Sequence, residues 1–276
     1  MPVDGPAPQE RDRRRWRTRR DLGGDFGRLW GAANVSYLGD GVWAAALPLL
    51  AASLTTNATL VGLSGSVGSL AWLSVGLISG TLVDRWDRLR VMWIVDCCRL
   101  LLLGGLALAV AAGHADIALL LVVGLLLGVG QTLFDTSSQA TVPLLVPPDG
   151  QKLEKANGRL SLGQTTGEQL VGPSVGGFLF GIAAAVPLAV DAVSFAVSAV
   201  VLRGLARRRG PTAPPRQPGR SIRRDIAEGL GWLRRQPTVL ALAATVGVTN
   251  LGYMASSTML VLYAKRELGL SSGETA

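Results

Sequence analysis

Seven long apolar segments follow one another along this chain of 276 residues, and they fix its structural class. Each is near or above the roughly 20 residues that a helix needs to cross about 30 Å of hydrocarbon. Buried strands are also apolar, but they are much shorter than these segments. The sequence therefore predicts an all-α, polytopic membrane protein, with helices at approximately 28–54, 59–83, 91–112, 116–142, 157–181, 184–203 and 237–263.

The positions of lysine and arginine predict the orientation of these helices. Nearly all of them precede the first segment or follow the second, fourth and sixth, whereas the alternate loops carry none. Because cytoplasmic loops are enriched in these residues, we expect a multi-pass protein of the cell membrane with a cytoplasmic N-terminus. The net charge of +8 is spread over every inward-facing segment, which indicates contact with anionic lipid and no nucleic-acid partner.

The same segments divide the chain into four parts. A basic tail covers residues 1–27, a six-helix bundle 28–203, a cytoplasmic linker 204–236, and the seventh helix with the start of a second bundle 237–276. The second half of the linker has apolar residues at helical spacing, so we predict an amphipathic helix on the inner membrane surface.

A weak internal repeat with an offset of 95 residues runs through the six-helix bundle. Asp40 precedes Pro48 in the first segment by the same spacing that separates Asp135 from Pro143 in the fourth. Many transporters are built from inverted three-helix repeats, so the pattern favours a transporter.

Ionisable residues inside the apolar segments are the candidate functional groups, because a charge at the bilayer centre is unfavourable by roughly 2.5–3.5 kcal/mol. Asp40 and Glu168 lie near the middle of their helices and are candidates for proton coupling or substrate contact; the alternative is a hydrogen bond that joins neighbouring helices. Asp135 is kept with them, although its place in the inner half of its helix favours a structural role. Asp96 and Arg99 are i,i+3 neighbours and form a predicted intramembrane charge pair.

Asp191, near the outer end of the sixth segment, is expected to be structural. The single histidine and the adjacent cysteines Cys97 and Cys98 have no metal-ligand spacing, so no metal site or cofactor is predicted. The chain also offers no constellation of nucleophile and base, which excludes a recognisable enzyme.

The loop between the second and third segments contains a charged motif with defined spacing. The motif consists of Gly80, Asp84, Arg85, Arg88 and Arg90, with Trp86 and Asp87 between the two pairs of charged residues. This pattern resembles the signature Gly-x-x-x-Asp-Arg-x-Gly-Arg-Arg of the major facilitator superfamily, with Asp87 in place of the second glycine. The resemblance implies an inner gate formed by these charges.

The fifth segment carries a second motif, Glu168-x-x-x-Gly172-Pro173-x-x-Gly176-Gly177. It resembles the antiporter motif Gly-x-x-x-Gly-Pro-x-x-Gly-Gly of the same superfamily, with Glu168 at the first glycine position. Small residues allow helices to approach closely and proline bends a helix, so the segment is a candidate pivot.

Together these features are most similar to the drug-efflux branch of the superfamily, which includes macrolide-efflux and enterobactin-type exporters. The resemblance implies proton-driven export of amphipathic drugs or natural products by rocking of two six-helix bundles, with a small molecule and protons as partners. The family has twelve helices, so we expect an incomplete sequence that lacks its C-terminal bundle. The alternative is a seven-helix receptor or scaffold without transport, which leaves both glycine motifs unexplained.

Overall fold

The computed structural model describes residues 22–83, 86–210, 229, 231–242, 244–245 and 248–249, and these are helical apart from short connections. The chain divides into two compact units, Met1–Pro218 and Gly219–Ala276. The first unit contains α1 (Gly24–Leu54), α2 (Ala58–Val83), α3 (Arg88–Ala111), α4 (Ile117–Leu145), α5 (Gly150–Gln164), a π-helical segment (Thr165–Val171), α6 (Gly172–Ile182) and α7 (Ala185–Arg209).

These elements correspond to the six apolar segments predicted for the N-terminal bundle. The fifth segment is continuous from α5 through the π-helical segment to α6. The sixth extends to Arg209, past its predicted end at residue 203, and its last turn is basic, as the negative end of a helix dipole favours.

Membrane-spanning character is clear for four of the helices. Within the described residues, α1, α3, α4 and α7 are long and apolar enough to cross a bilayer. The expected fold class, an all-α polytopic membrane protein, is confirmed.

The second unit is described only in part. Residues 231–235 and 237–242 are helical, and the second stretch begins where the seventh segment was predicted. Most of the predicted amphipathic helix, and residues 243, 246–247 and 250–263 of the seventh segment, lie outside the described residues.

Aspartate side chains set the start of three helices. Asp87, Asp116 and Asp149 each accept a hydrogen bond from a backbone N–H in the first turn of α3, α4 and α5, respectively. Such caps satisfy donors that have no partner within the helix. Asp87 has a φ of −67°, so its position in the loop motif does not require the glycine of the family signature.

The packing of the helices follows the 95-residue repeat. α1 packs against the fifth span and α7, whereas α4 packs against α2 and α3. The offset relates α1 to α4, α2 to the fifth span and α3 to α7, so the partners of α4 are the counterparts of the partners of α1. Pro48 and Pro143 lie inside α1 and α4 at equivalent places.

The ends of three helices meet at one side of this unit, joined by Arg209. Arg209 Nε, at the end of α7, donates to Asp25 Oδ2 in the first turn of α1 at 2.6 Å. Its Nη1 donates to the carbonyl oxygen of Leu144 at the end of α4 at 3.3 Å. The start of α1 and the ends of α4 and α7 therefore lie on the same side.

The apolar core consists of two clusters. One surrounds Phe26, Met92 and Phe134, and the other surrounds Trp43 and Phe195. Along α1 and α3, the buried charged residues fall between the parts of the helix that contribute to these two clusters.

Candidate functional site

A buried ion pair joins α1 to α3. Nη2 of Arg99 donates to Oδ1 of Asp40, and both side chains are almost fully buried. The guanidinium also stacks over the ring of Phe195 in α7, 4.0 Å from its centroid. α4 also lies close to the Arg99 side chain: a Cβ added at Gly130 would lie 2.9 Å from Cδ of Arg99. Arg99 therefore contacts three other helices.

The predicted partner of Arg99, Asp96, lies farther from it than Asp40 does. Asp96 Oδ1 is 3.9 Å from Arg99 Nη1, which is an ionic contact without a hydrogen bond. The i,i+3 spacing in α3 brings the two charges together, but the geometry across the helices gives the hydrogen bond to Asp40. The sequence pair is one part of a larger cluster.

Asp191 of α7 belongs to the same cluster. It is fully buried, accepts a hydrogen bond from Ser194 Oγ at 3.0 Å, and lies within electrostatic range of Arg99. A Cβ at Gly39 would collide with its Oδ1, so a glycine in α1 makes room for this carboxyl group. Asp40, Asp96 and Asp191 thus surround a single guanidinium.

Two further carboxyl groups lie beside a network of glutamines. Glu168 Oε1 accepts hydrogen bonds from Gln131 Nε2 and Gln164 Nε2, each at 3.2 Å. Gln164 Nε2 also lies 3.5 Å from Asp135 Oδ2. Asp135 and Glu168, predicted from sequence to be candidates, are therefore brought together by glutamines that the sequence analysis did not select.

Asp135 also lines a cavity. The cavity has a volume of about 590 Å³ and lies between α2, α4 and α5; its lining consists of Trp72, Thr132, Asp135, Thr136, Gln139, Ala140 and Gln164. Thr136 Oγ1 and Ser79 Oγ are 3.2 Å apart and join two of these helices. The wall combines an aromatic ring, a carboxyl group and neutral hydrogen-bonding groups, a composition suited to an amphipathic ligand.

The π-helical segment sets the position of Glu168. The N–H of Gly172 donates to the carbonyl oxygen of Gly167, a longer step than in an α-helix. Pro173, directly after this segment, has no N–H and would crowd the preceding turn of a regular helix. Glu168 lies inside this widened turn, and π-helical turns are frequent at functional sites.

The predicted pivot motif packs against α1. A Cβ at Gly172 would lie 2.6 Å from Cα of Gly41, and one at Gly176 would lie 3.0 Å from Cα of Val42. Gly177 has no atom of the described residues within 4 Å of such a Cβ. Two of the three glycines thus form the close contact that the motif predicts, and the third faces away.

The inner gate motif is described only in part. Gly80 lies in the last turn of α2. Arg88 opens α3, and its Nη1 donates to the carbonyl oxygen of Ala140 in α4 at 3.3 Å, while the Arg90 N–H donates to Asp87. Asp84 and Arg85 lie outside the described residues, so the gate remains a prediction.

The glutamines do leave a signal in the sequence. Gln131 and Asp135 are spaced i,i+4 in α4, and Gln164 and Glu168 have the same spacing in the fifth span. Residues with that spacing share a helix face, so each polar pair could be identified in an otherwise apolar segment. The spacing within each helix does not predict that these two pairs face each other.

Comparison with known proteins is consistent with this architecture. The chain is 35% identical over 139 residues to an uncharacterized MFS-type transporter of Mycobacterium bovis and, equally, to one of Mycobacterium tuberculosis. The aligned region covers 48% of this chain and 30% of each relative, so the chain spans about a third of their length.

A family model places the whole helical region in one group. The model, described as Major Facilitator Superfamily, matches residues 29–276, so the match begins in the second turn of α1. Members of that group are transporters, which agrees with buried carboxyl groups beside a cavity among membrane-spanning helices. With a match over residues 29–276, the chain belongs to the Major Facilitator Superfamily.

Proposed function

We propose that this transporter exports amphipathic small molecules in exchange for protons. The observation that carries the proposal is an imbalance of charge inside the first unit. Five carboxyl groups and one guanidinium lie close together, which leaves four uncompensated negative charges if all are ionised; the group consists of Asp40, Asp96, Asp135, Glu168, Asp191 and Arg99. Uncompensated charge in a membrane interior is unfavourable, and proton binding removes it.

The proposal divides the carboxyl groups by their surroundings. Asp40 is held by Arg99, whereas Glu168 is held only by neutral carboxamides among the described residues. A carboxyl group without a cationic partner can gain or lose a proton without leaving a buried cation unpaired. Glu168 is therefore the proposed proton carrier, and Asp135, in the cavity wall, the proposed contact for a substrate.

The cavity supports an amphipathic substrate. The Trp72 side chain is largely exposed and offers a flat apolar surface, while the threonines and glutamines offer hydrogen bonds. An aromatic ring together with a carboxyl group can also bind an organic cation. Since these groups are neutral or acidic, tetraphenylphosphonium is a suitable probe.

Replacement of Glu168 should test the proton coupling. We expect Glu168→Gln, in protein expressed from the complete gene, to lower proton-driven efflux of tetraphenylphosphonium about tenfold or more, because the amide cannot carry a proton. Efflux from cells at two external pH values measures the effect. Glu154→Gln, an exposed carboxyl of α5, is the matched control and should behave as the unmodified protein. Undiminished and still pH-dependent efflux in Glu168→Gln would refute Glu168 as the proton carrier, and the same result in Asp40→Asn as well would refute proton coupling through this cluster.

The membrane orientation is a separate part of the proposal. We expect the N-terminus and the basic loops to face the cytosol, because arginine-rich ends stay inside. A membrane-impermeant maleimide should label His114→Cys in intact cells but not Gln151→Cys, with Cys97 and Cys98 first replaced by alanine. Both positions are exposed, one in the α3–α4 loop and one at the start of α5. The reverse labelling pattern would show that the topology is the opposite of the proposed one.

A further inference from the structure

One carboxamide nitrogen lies between two carboxyl groups from different elements. Gln164 Nε2 is 3.2 Å from Glu168 Oε1, 3.5 Å from Glu168 Oε2 and 3.5 Å from Asp135 Oδ2. A carboxamide nitrogen has two N–H donors, fewer than the three oxygens around it. The two carboxyl groups therefore compete for the donors of Gln164.

The two carboxyl groups do not receive equal numbers of hydrogen bonds. Glu168 receives a second donor from Gln131, at 3.2 Å. Asp135 Oδ1 is buried and has no hydrogen-bond partner within the described part of the chain, although the Tyr37 hydroxyl of α1 lies near this carboxyl group as a second donor. A donor released by Glu168 would strengthen the long contact that Gln164 Nε2 already makes with Asp135 Oδ2, at 3.5 Å.

We propose that Gln164 couples the proton on Glu168 to the state of Asp135, and so links the proton site to the cavity. When Glu168 is ionised, its oxygens hold the carboxamide; when it gains a proton, one oxygen becomes a donor and the Gln164 N–H turns to Asp135. Binding of an organic cation at Asp135 has the opposite effect, since it returns the carboxamide to Glu168 and favours proton release. Gln164 is a positioning residue in this scheme, and the scheme rests on the proposed proton-coupled function.

Other charged and titratable groups face this network and act on both carboxyl groups. From α1, Tyr37 and Asp40 lie within electrostatic range of Glu168. From α3, Arg99 lies within range of Asp135. Asp40 and Arg99 act through space, and Tyr37 is a hydrogen-bond donor to Asp135 alone, whereas Gln164 forms a direct contact with both carboxyl groups.

Proton release on ligand binding tests the coupling. The protein from the complete gene is purified in lightly buffered detergent, saturated with tetraphenylphosphonium, and the released protons are measured with a pH indicator dye. Methionine has a similar length to glutamine and no hydrogen-bond donor. We expect Gln164→Met to bind the probe but to release at least about fivefold fewer protons than the unmodified protein does. Gln164→Leu serves as a second variant, and gel filtration verifies the fold of each.

Gln131 provides the matched control. Gln131→Met removes a donor that reaches Glu168 alone, so the pH dependence of proton release should change while release on probe binding persists. Gln151→Met makes the same substitution at an exposed position and should match the unmodified protein.

The outcomes separate this inference from the proposed function. Normal release by Gln164→Met and Gln164→Leu would overturn the inference, and so would equal loss in Gln131→Met. Absence of release from the unmodified protein while it binds the probe would overturn the proton-coupled function itself, and the inference with it.

Discussion

Arg99→Gln should destabilise the first helical unit by about 3–5 kcal/mol, the usual cost of removing one partner from a buried ion pair. Arg99 is 2% exposed and holds Asp40 directly, with Asp96 and Asp191 around it. Without the guanidinium, three buried carboxyl groups lose the cation that they share, and the contact with the Phe195 ring is also lost. Thermal unfolding in detergent, followed by circular dichroism, measures the change.

A second arginine provides the control for this prediction. Arg203 of α7 lies on the surface with its guanidinium carbon 5.3 Å from the centre of the Trp93 ring. An exposed contact of this kind contributes about 0.5–1 kcal/mol, so Arg203→Gln should unfold almost as the unmodified protein does. Equal unfolding temperatures for the two variants would show that the Arg99 cluster is not a stabilising centre.

Gly172→Ala should impair both folding and transport, because α1 and α6 meet backbone to backbone at this point. The added Cβ would lie 2.6 Å from Cα of Gly41 and would also meet the carbonyl oxygen of Gly167. These are backbone atoms and cannot rotate away, so the helices must separate. Overpacking of this kind typically costs about 1–3 kcal/mol. The unfolding temperature in detergent and the efflux of tetraphenylphosphonium measure the two effects.

Gly177 offers a control from the same motif. Its Cβ position is open among the described residues, and alanine favours a helix over glycine by about 1 kcal/mol. Gly177→Ala should therefore retain transport and unfold at the same or a slightly higher temperature. If Gly172→Ala and Gly177→Ala behaved alike, the motif would act through helix propensity rather than through contact with α1.

The different effects expected for these glycines also show how much of a helix contact a sequence motif can predict. The motif Gly172, Pro173, Gly176 and Gly177 predicted a close helix contact in the fifth span, and the contact is present at two of its glycines. A motif gives the spacing of residues but not the side of the helix that meets a neighbour. Gly172 and Gly176 are spaced i,i+4 and share one face of α6, whereas Gly177 lies about 100° around the helix from Gly176.

The sequence by itself determined the apolar segments and hence the all-α membrane class, because each segment had to be long and apolar enough for the bilayer. Hydropathy alone missed the first turn of α3, which begins at Arg88 after the capping residue Asp87, three residues before its predicted start. The sequence also selected Asp40, Asp135 and Glu168, since ionisable residues stand out in apolar segments.

Only the tertiary structure decided which of these groups meet. Spacing along α3 joined Arg99 to Asp96, but packing gave the hydrogen bond to Asp40 from α1, and packing of the fifth span on α4 placed Gln164 between two carboxyl groups. Hydropathy and spacing describe one helix at a time, whereas the rotation and depth of one helix against the next arise from close packing of small residues and from pairing of buried polar groups.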